Sequence, residues 1–248
     1  MIHSVEFFHL ALLEVLQIRL DQACYVVNGG ASLRYFYGSP RYSEDIDFDA
    51  IGIARWKLEP KVDSVLVSRP LALTLRTKGL AISEVAKPKQ TSTTQRWKLA
   101  LRLAGQSEPI RTRIEFSHRA ADTRYQLDQV ALEIVEPYAL RPPTVNRYLP
   151  PAMIEQEIEA LAERSETQAR DVFDLDLLLR QWPTAVTSDS GLVRRLDPAI
   201  ERVHALPFEN YESLVIRFLD PGVAELYNRP EHWKQMQNRV AGALMALR

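Results

Sequence analysis

The stretch Val26-Val27-Asn28-Gly29-Gly30-Ala31-Ser32-Leu33-Arg34-Tyr35-Phe36-Tyr37-Gly38-Ser39-Pro40-Arg41-Tyr42-Ser43-Glu44-Asp45-Ile46-Asp47-Phe48 decides how this chain is read. Residues Tyr25–Asn28 are short and β-branched, which predicts a buried strand ending at Gly29-Gly30. A short helix is expected over Ala31–Tyr37, stopped by Gly38-Ser39-Pro40. The next strand is expected over Asp45–Asp49, and alternate residues of a strand face one side, so Asp45 and Asp47 present their carboxylates together. A glycine pair lets backbone N–H groups lie close to a bound group, and the helix start behind it favours an anion. Two carboxylates on one face beside an open turn point to a divalent metal and a phosphate. Ser32 offers a hydroxyl, and Arg34 and Arg41 are near enough in sequence to neutralise charge.

Outward from this stretch, the pattern is mixed first and helical afterwards. Val5–Ala23 has apolar residues at helical spacing (Phe8, Leu12, Leu13, Leu16, Ile18, Leu20). Ala54–Val67 and Pro70–Lys78 read as helical pieces and Leu80–Val85 as a strand. Thr93–Leu103 and Ile110–Phe116 read as two strands of a hairpin, joined by a loop of turn-forming composition, Ala104–Pro109. In the second of these, Glu115 stands between Ile114 and Phe116 and so points away from their face. Ala131–Val135 is expected as a further strand. Five of the chain's 15 prolines fall between Pro137 and Pro151, where the domain junction is expected. Beyond it, helices are expected over Ala152–Arg164, Ala169–Gln181, Gly191–Ala205, Tyr211–Phe218 and His232–Leu247.

Metal-assisted nucleotidyl transfer needs few parts: carboxylates for two Mg2+ ions about 4 Å apart, and donors for the phosphates. Asp45 and Asp47 would supply two carboxylates, and Glu115 a third if its strand lies beside theirs. A third carboxylate helps the attacking hydroxyl by binding the nearer metal or by taking the proton. Singly, each feature is ordinary. Their order (strand, Gly-Gly, helix, Asp-x-Asp strand, hairpin with an isolated acid) is much rarer.

The 248 residues are 46% hydrophobic and 25% charged, as expected of a soluble globular protein of one large or two small domains. The single cysteine, Cys24, excludes an internal disulfide and suits a reducing, cytoplasmic setting. No run reaches 18 apolar residues, so no membrane span is expected. The net charge is −1, but its distribution is uneven. Arg55–Arg124 holds 15 Lys and Arg against 6 Asp and Glu, whereas Pro151–Ile200 holds 5 against 10. The basic segment suits a polyanion such as a triphosphate or RNA, or else faces water or the acidic segment.

Gly29-Gly30, a spacer of fourteen residues and Asp45-Ile46-Asp47 together resemble motif I of the DNA polymerase β-like nucleotidyltransferase superfamily. More closely, Gly29-Gly30-Ala31-Ser32-Leu33 with Arg41-Tyr42-Ser43-Glu44-Asp45-Ile46-Asp47-Phe48 is similar to the AbiEii/AbiGii toxin family. Ala160-Leu161-Ala162-Glu163-Arg164, followed by Ala169-Arg170-Asp171-Val172-Phe173-Asp174-Leu175, resembles that family's second signature. The resemblance implies an α+β fold: a nucleotidyltransferase core with a small mixed sheet over residues 1–140, then a helical bundle over 141–248. It implies a toxin of a toxin–antitoxin or phage-defence pair, with a cognate antitoxin as partner. Such a toxin uses an NTP and Mg2+ to add nucleotides to RNA, in particular tRNA acceptor ends, and so stops translation. Carried over by residue, Asp45 and Asp47 are metal ligands, Gly29, Gly30 and Ser32 surround the phosphates, and Asp171 is a catalytic or orienting acid.

One position departs from the pattern. Where the family has a lysine that contacts the triphosphate, this chain has Glu157, or Gln156 in a shifted alignment. Three outcomes stay open: another base such as Lys98, Arg164 or Arg170 takes the role; the donor or reaction differs, with a protein or small molecule as acceptor; or a ligand binds without turnover.

Overall fold

The computed structural model describes residues 2–186 and 190–248, so residues 187–189 of the acidic 151–200 segment lie outside the described residues. The chain divides into two compact units, Met1–Gly38 with Tyr42–Tyr148, and Ser39–Arg41 with Leu149–Arg248.

In the first unit, helix α1 (Ile2–Arg19) leads into strand β1 (Tyr25–Asn28), helix α2 (Gly29–Phe36) and strand β2 (Asp45–Ala50). Helices α3 (Arg55–Leu66) and α4 (Arg69–Arg76) follow, then strands β3 (Leu80–Gln90), β4 (Thr94–Leu103), β5 (Ile110–Ser117) and β6 (Tyr125–Gln129). A short helix α5 (Leu132–Val135) and strand β7 (Thr144–Tyr148) complete it. The seven strands form one mixed sheet in the order β3-β4-β5-β2-β1-β7-β6. Strand β2 runs parallel to β5 and antiparallel to β1, and β1 runs parallel to β7.

The period of two in Asp45-Ile46-Asp47-Phe48-Asp49 sorts β2 into an apolar face and an acidic face. Ile46 and Phe48 are buried on the helix side, where Phe48 stacks on Phe116 at a centroid distance of 4.6 Å. Burying a phenylalanine contributes about 1.5–3 kcal/mol, so this stack fixes the strand's register and leaves the aspartates no choice of side. Helix α1 is buried nearly all round and carries two polar side chains inward. Its Glu6 binds Arg34 Nε at 2.8 Å and accepts from Tyr138 Oη at 2.8 Å. Arg34 therefore has a structural partner, where the sequence offered it as a charge neutraliser. His9 Nε2 lies 2.8 Å from Thr112 Oγ1, and burial lowers its pKa to about 3.

Two expectations change. Ala131–Val135 is not a strand; Leu132–Val135 is helical and runs into a 3-10 turn, Glu136–Tyr138, where Pro137 has no N–H to give a ladder. The ladder forms instead from Tyr125–Gln129 and Thr144–Tyr148, paired antiparallel. A short apolar run cannot be assigned by periodicity alone. The sheet thus takes in residues beyond 140, where composition places the junction, because Thr144–Tyr148 pairs with β1 and β6 despite its proline-rich flanks.

The second unit is helical: α6 (Pro150–Glu163), α7 (Ala169–Gln181), α8 (Ser190–Ala205), α9 (Phe208–Leu214), α10 (Pro221–Tyr227) and α11 (Pro230–Ala246). Ile158, Leu161, Leu175, Leu178, Leu196, Val203, Val240 and Leu244 are buried in it, and Tyr211 stacks on Trp233 at 4.6 Å. Among the described residues no helix is long and apolar enough to cross a membrane.

Candidate active site

The acidic face of the sheet is built by register. Asp47 stands directly across from Glu115 on the parallel neighbour β5, and Asp45 across from Arg113. On the other side, Asn28 stands across from Asp47 on β1. Strands lie about 4.7–4.9 Å apart, so Asp47 and Glu115 are neighbours on one face. The expectation that the strand of Glu115 lies beside that of Asp45 and Asp47 is met.

The carboxylates converge on one cation. Arg113 Nη2 lies 2.8 Å from Asp45 Oδ2 and 3.9 Å from Asp47 Oδ1, while its Nε lies 3.9 Å from Glu115 Oε2. Glu115 also accepts from Arg96 Nε at 2.5 Å. Among the described residues no three acids or histidines stand close enough to hold an ion as the side chains lie. The guanidinium of Arg113 thus lies against all three carboxylates.

The glycine turn abuts this face. Gly29 has φ +63°, a conformation that side chains rarely adopt, and a Cβ there would stand 3.5 Å from Asp47 Oδ2. Its N–H donates to Asn28 Oδ1 at 2.6 Å. Gly30 follows in the first turn of α2. Ser32 is fully buried, and its Oγ has no hydrogen-bond partner among the described residues.

A third aspartate on the same strand escaped the sequence reading. Asp49 Oδ2 accepts from Asn28 Nδ2 at 3.0 Å and from Tyr148 Oη at 2.7 Å, and Ser117 adds a further bond. Burial nevertheless raises its pKa. The period of two already placed Asp49 beside Asp47; nothing in the sequence linked it to Tyr148, which lies in the proline-rich stretch. Arg113 was legible only as one basic residue among fifteen.

Arg41, Arg170 and Asp171 belong to the second unit, and Asp45, Asp47, Glu115, Gly29, Gly30 and Ser32 to the first. The second unit gathers its own charges around the α6–α7 contact. Arg41 is 4% exposed and binds Asp174 through Nε at 3.3 Å and Nη2 at 2.5 Å. Asp171, at the start of α7, has Arg164 Nε at 3.1 Å and Arg170 Nε at 4.0 Å. The Arg164 contact is an ion pair without hydrogen-bond alignment, since both atoms lack a hydrogen-bond partner. Burial pushes the Asp171 carboxyl up to about 6, against the pull of Arg164 and Arg170. Glu157, facing this cluster from α6, is 8% exposed. Burial first, then Asp174 and Asp171, raise its pKa well above the ordinary glutamate value.

A mixed sheet with Asp-x-Asp on one strand, an acid in register on the parallel neighbour and a Gly-Gly turn at the strand end is the core of a nucleotidyltransferase. The chain belongs to the AbiEii family, described as nucleotidyl transferase AbiEii toxin of type IV toxin–antitoxin systems; the match spans residues 11–246. Two solved structures share the fold. One is JHP933 from Helicobacter pylori, 19% identical, with a TM-score of 0.58 over 95% of this chain and 91% of that one. The other, from the same organism and described as a candidate nucleotidyltransferase, is 20% identical, with a TM-score of 0.59 over 96% of this chain and 95% of that one. No curated protein matches the chain.

Proposed function

We propose that this chain transfers a nucleotide from an NTP to RNA, tRNA in particular, with Mg2+ as cofactor, and blocks translation in the cytoplasm unless restrained by an antitoxin. The observation that carries the reading is the pairing of Asp47 with Glu115 beside the Gly29 turn. In the reaction the acceptor hydroxyl oxygen bonds to the α-phosphorus. The bond from that phosphorus to the oxygen bridging to the β-phosphate breaks, and pyrophosphate leaves. Asp45, Asp47 and Glu115 are the residues that would hold Mg2+, and their hard oxygens and convergence on Arg113 fit such an ion. When bound, Mg2+ neutralises charge on the phosphates and on the attacking oxygen. Glu115 takes the proton of the hydroxyl, and backbone N–H groups after Gly29 face the phosphates.

The first unit carries the reaction in this reading. In the second unit Arg41 is committed to Asp174. Asp171 orients Arg164 and Arg170 from between them. The test is incubation of the purified chain with Mg2+, each labelled NTP and total tRNA, beside Asp45→Ala. Label on RNA from the wild type alone supports the reading. Label on protein or a small molecule, or the same result from both chains, refutes it.

A further inference from the structure

We propose that the outer face of strands β3, β4 and β5 is a track for single-stranded RNA, along which the acceptor 3′ end reaches the carboxylates of β2; this rests on the nucleotidyltransferase reading above. Two rows of residues cross the sheet on this face. One runs Asp45, Arg113, Lys98, Ala86, and the other Asp47, Glu115, Arg96, Lys89. At about 4.7–4.9 Å per strand, Lys98 stands two strands and Lys89 three strands from the acids. Arg111 and Arg102 lie on the same face by the alternation of β5 and β4.

Charge on this face is not balanced. Arg113 and Arg96 are held by Asp45 and Glu115. Lys89, Lys98, Arg102 and Arg111 have no ion-pair partner among the described residues, against one unpaired acid, Glu84. Lys98, Arg102 and Arg111 are solvent-exposed. The surplus of basic residues over Arg55–Arg124 thus resolves in part into a contiguous patch. Where the patch meets Asp45 lies a cavity of about 400 Å3, lined in part by Glu44, Asp45, Glu84, Lys98, Arg111 and Arg113. That volume is within the range of small-ligand sites and suits one terminal nucleotide.

The continuity of the patch with the carboxylates selects the occupant. A group that must deliver a hydroxyl to Asp45 and Asp47, while its remainder lies over a line of cations, is a polynucleotide with a free end. An acidic protein surface would use the same cations but carries no chain end with a free hydroxyl to deliver to the acids.

The test uses the full chain and a fluorescent 12-nucleotide single-stranded RNA, with binding read by anisotropy across a range of KCl concentrations. The double variant Lys98→Ala/Arg111→Ala removes two cations from the track. The variant Arg69→Ala/Arg76→Ala removes two exposed cations from α4 and keeps the same net charge as the first. Loss of two phosphate contacts lowers the slope of log K against log salt by about 1.4, so the track variant should bind about tenfold more weakly, and the α4 variant should match the wild type. Equal binding by all three chains, equal loss in both variants, no RNA binding by the wild type, or preference for poly-glutamate over RNA would overturn the track. Transfer of label from NTP is measured on the same samples. RNA binding that depends on the track without any label transfer refutes the catalytic reading alone; transfer with unaltered binding refutes the track alone.

Discussion

Arg41 and Asp174 are 133 residues apart in sequence, yet the guanidinium holds the carboxylate at both oxygens, with side chains only 5% and 3% exposed. The pair ties Arg41 to the helical unit, to which Ser39–Arg41 belongs although the residues on either side belong to the sheet unit. Removing one partner leaves an uncompensated buried charge, which costs about 3–5 kcal/mol. Arg41→Ala should therefore lower the urea midpoint sharply. Asp174→Ala should do so less, because it relieves repulsion on Glu157 at the same time. A double-mutant cycle by urea unfolding checks this: the two losses should not add.

Glu157, the position where the sequence resemblance leads one to expect a lysine (Gln156 in a shifted alignment), is surrounded by charges of both signs. Burial first, then Asp174 and Asp171, push its proton affinity up, while Arg164 and Arg41 pull it down. Glu157→Lys should destabilise the fold, because it places a buried ammonium beside two guanidinium groups. Thermal unfolding of the two chains measures the loss. A midpoint equal to or above that of the wild type would show that the cluster accepts a cation at this position.

The same cluster sets a pH dependence. An unfolded aspartate titrates near 3.9 and Asp171 near 6, so between these values the folded chain holds a proton that the unfolded chain has lost. Stability from this group is full below about 4 and falls as pH rises through about 6. Glu157, also raised well above its ordinary value by burial, adds to the fall. Glu157→Gln should flatten the decline in thermal midpoint between pH 5 and pH 8, with the variant the more stable chain at the alkaline end.

Much of the first unit was legible because its signals are local. The alternation in Asp45–Asp49 fixes which side chains share a face, and Gly29-Gly30 marks the turn; neither needs a distant partner to be read. The isolated Glu115 was legible for the same reason, though which strand it pairs with depends on the register. What escaped depends on long-range pairing. Strand β7 hides among prolines and is a strand because β1 offers it a parallel edge. Asp49 looks like a solvated strand end until Tyr148 reaches it across 99 residues. Arg41 reads as a phosphate ligand until Asp174 closes on it, since a sequence shows a charge but not its burial.

Asp49 separates support from chemistry. It accepts bonds from Asn28, Tyr148 and Ser117 and holds Asn28, which caps the glycine turn. Asp49→Ala strands these donors and should cost about 1–3 kcal/mol. Its Mg2+ affinity should stay near the wild-type value, because none of its bonds involves Asp45, Asp47 or Glu115. Urea unfolding and Mg2+ titration calorimetry distinguish this outcome from that of a ligand residue, for which Mg2+ binding would fall.

Arg113 makes the opposite prediction. It lies 2.8 Å from Asp45 and within 3.9 Å of Asp47 and Glu115, so it offsets their mutual repulsion. Taking it away leaves Arg96 on Glu115 but removes the cation shared by all three carboxylates, which raises the free energy of this face and increases its attraction for a divalent cation. Arg113→Gln should thus lower the thermal midpoint in a chelating buffer. Rising Mg2+ should then restore the midpoint by more than it raises that of the wild type, because a ligand that binds only the folded chain stabilises it by RT ln(1 + [L]/Kd). Thermal melts across a Mg2+ series give both slopes. A variant that melts lower but gains no more from Mg2+ than the wild type would mean that Arg113 braces the strands and does not hold the place of an ion.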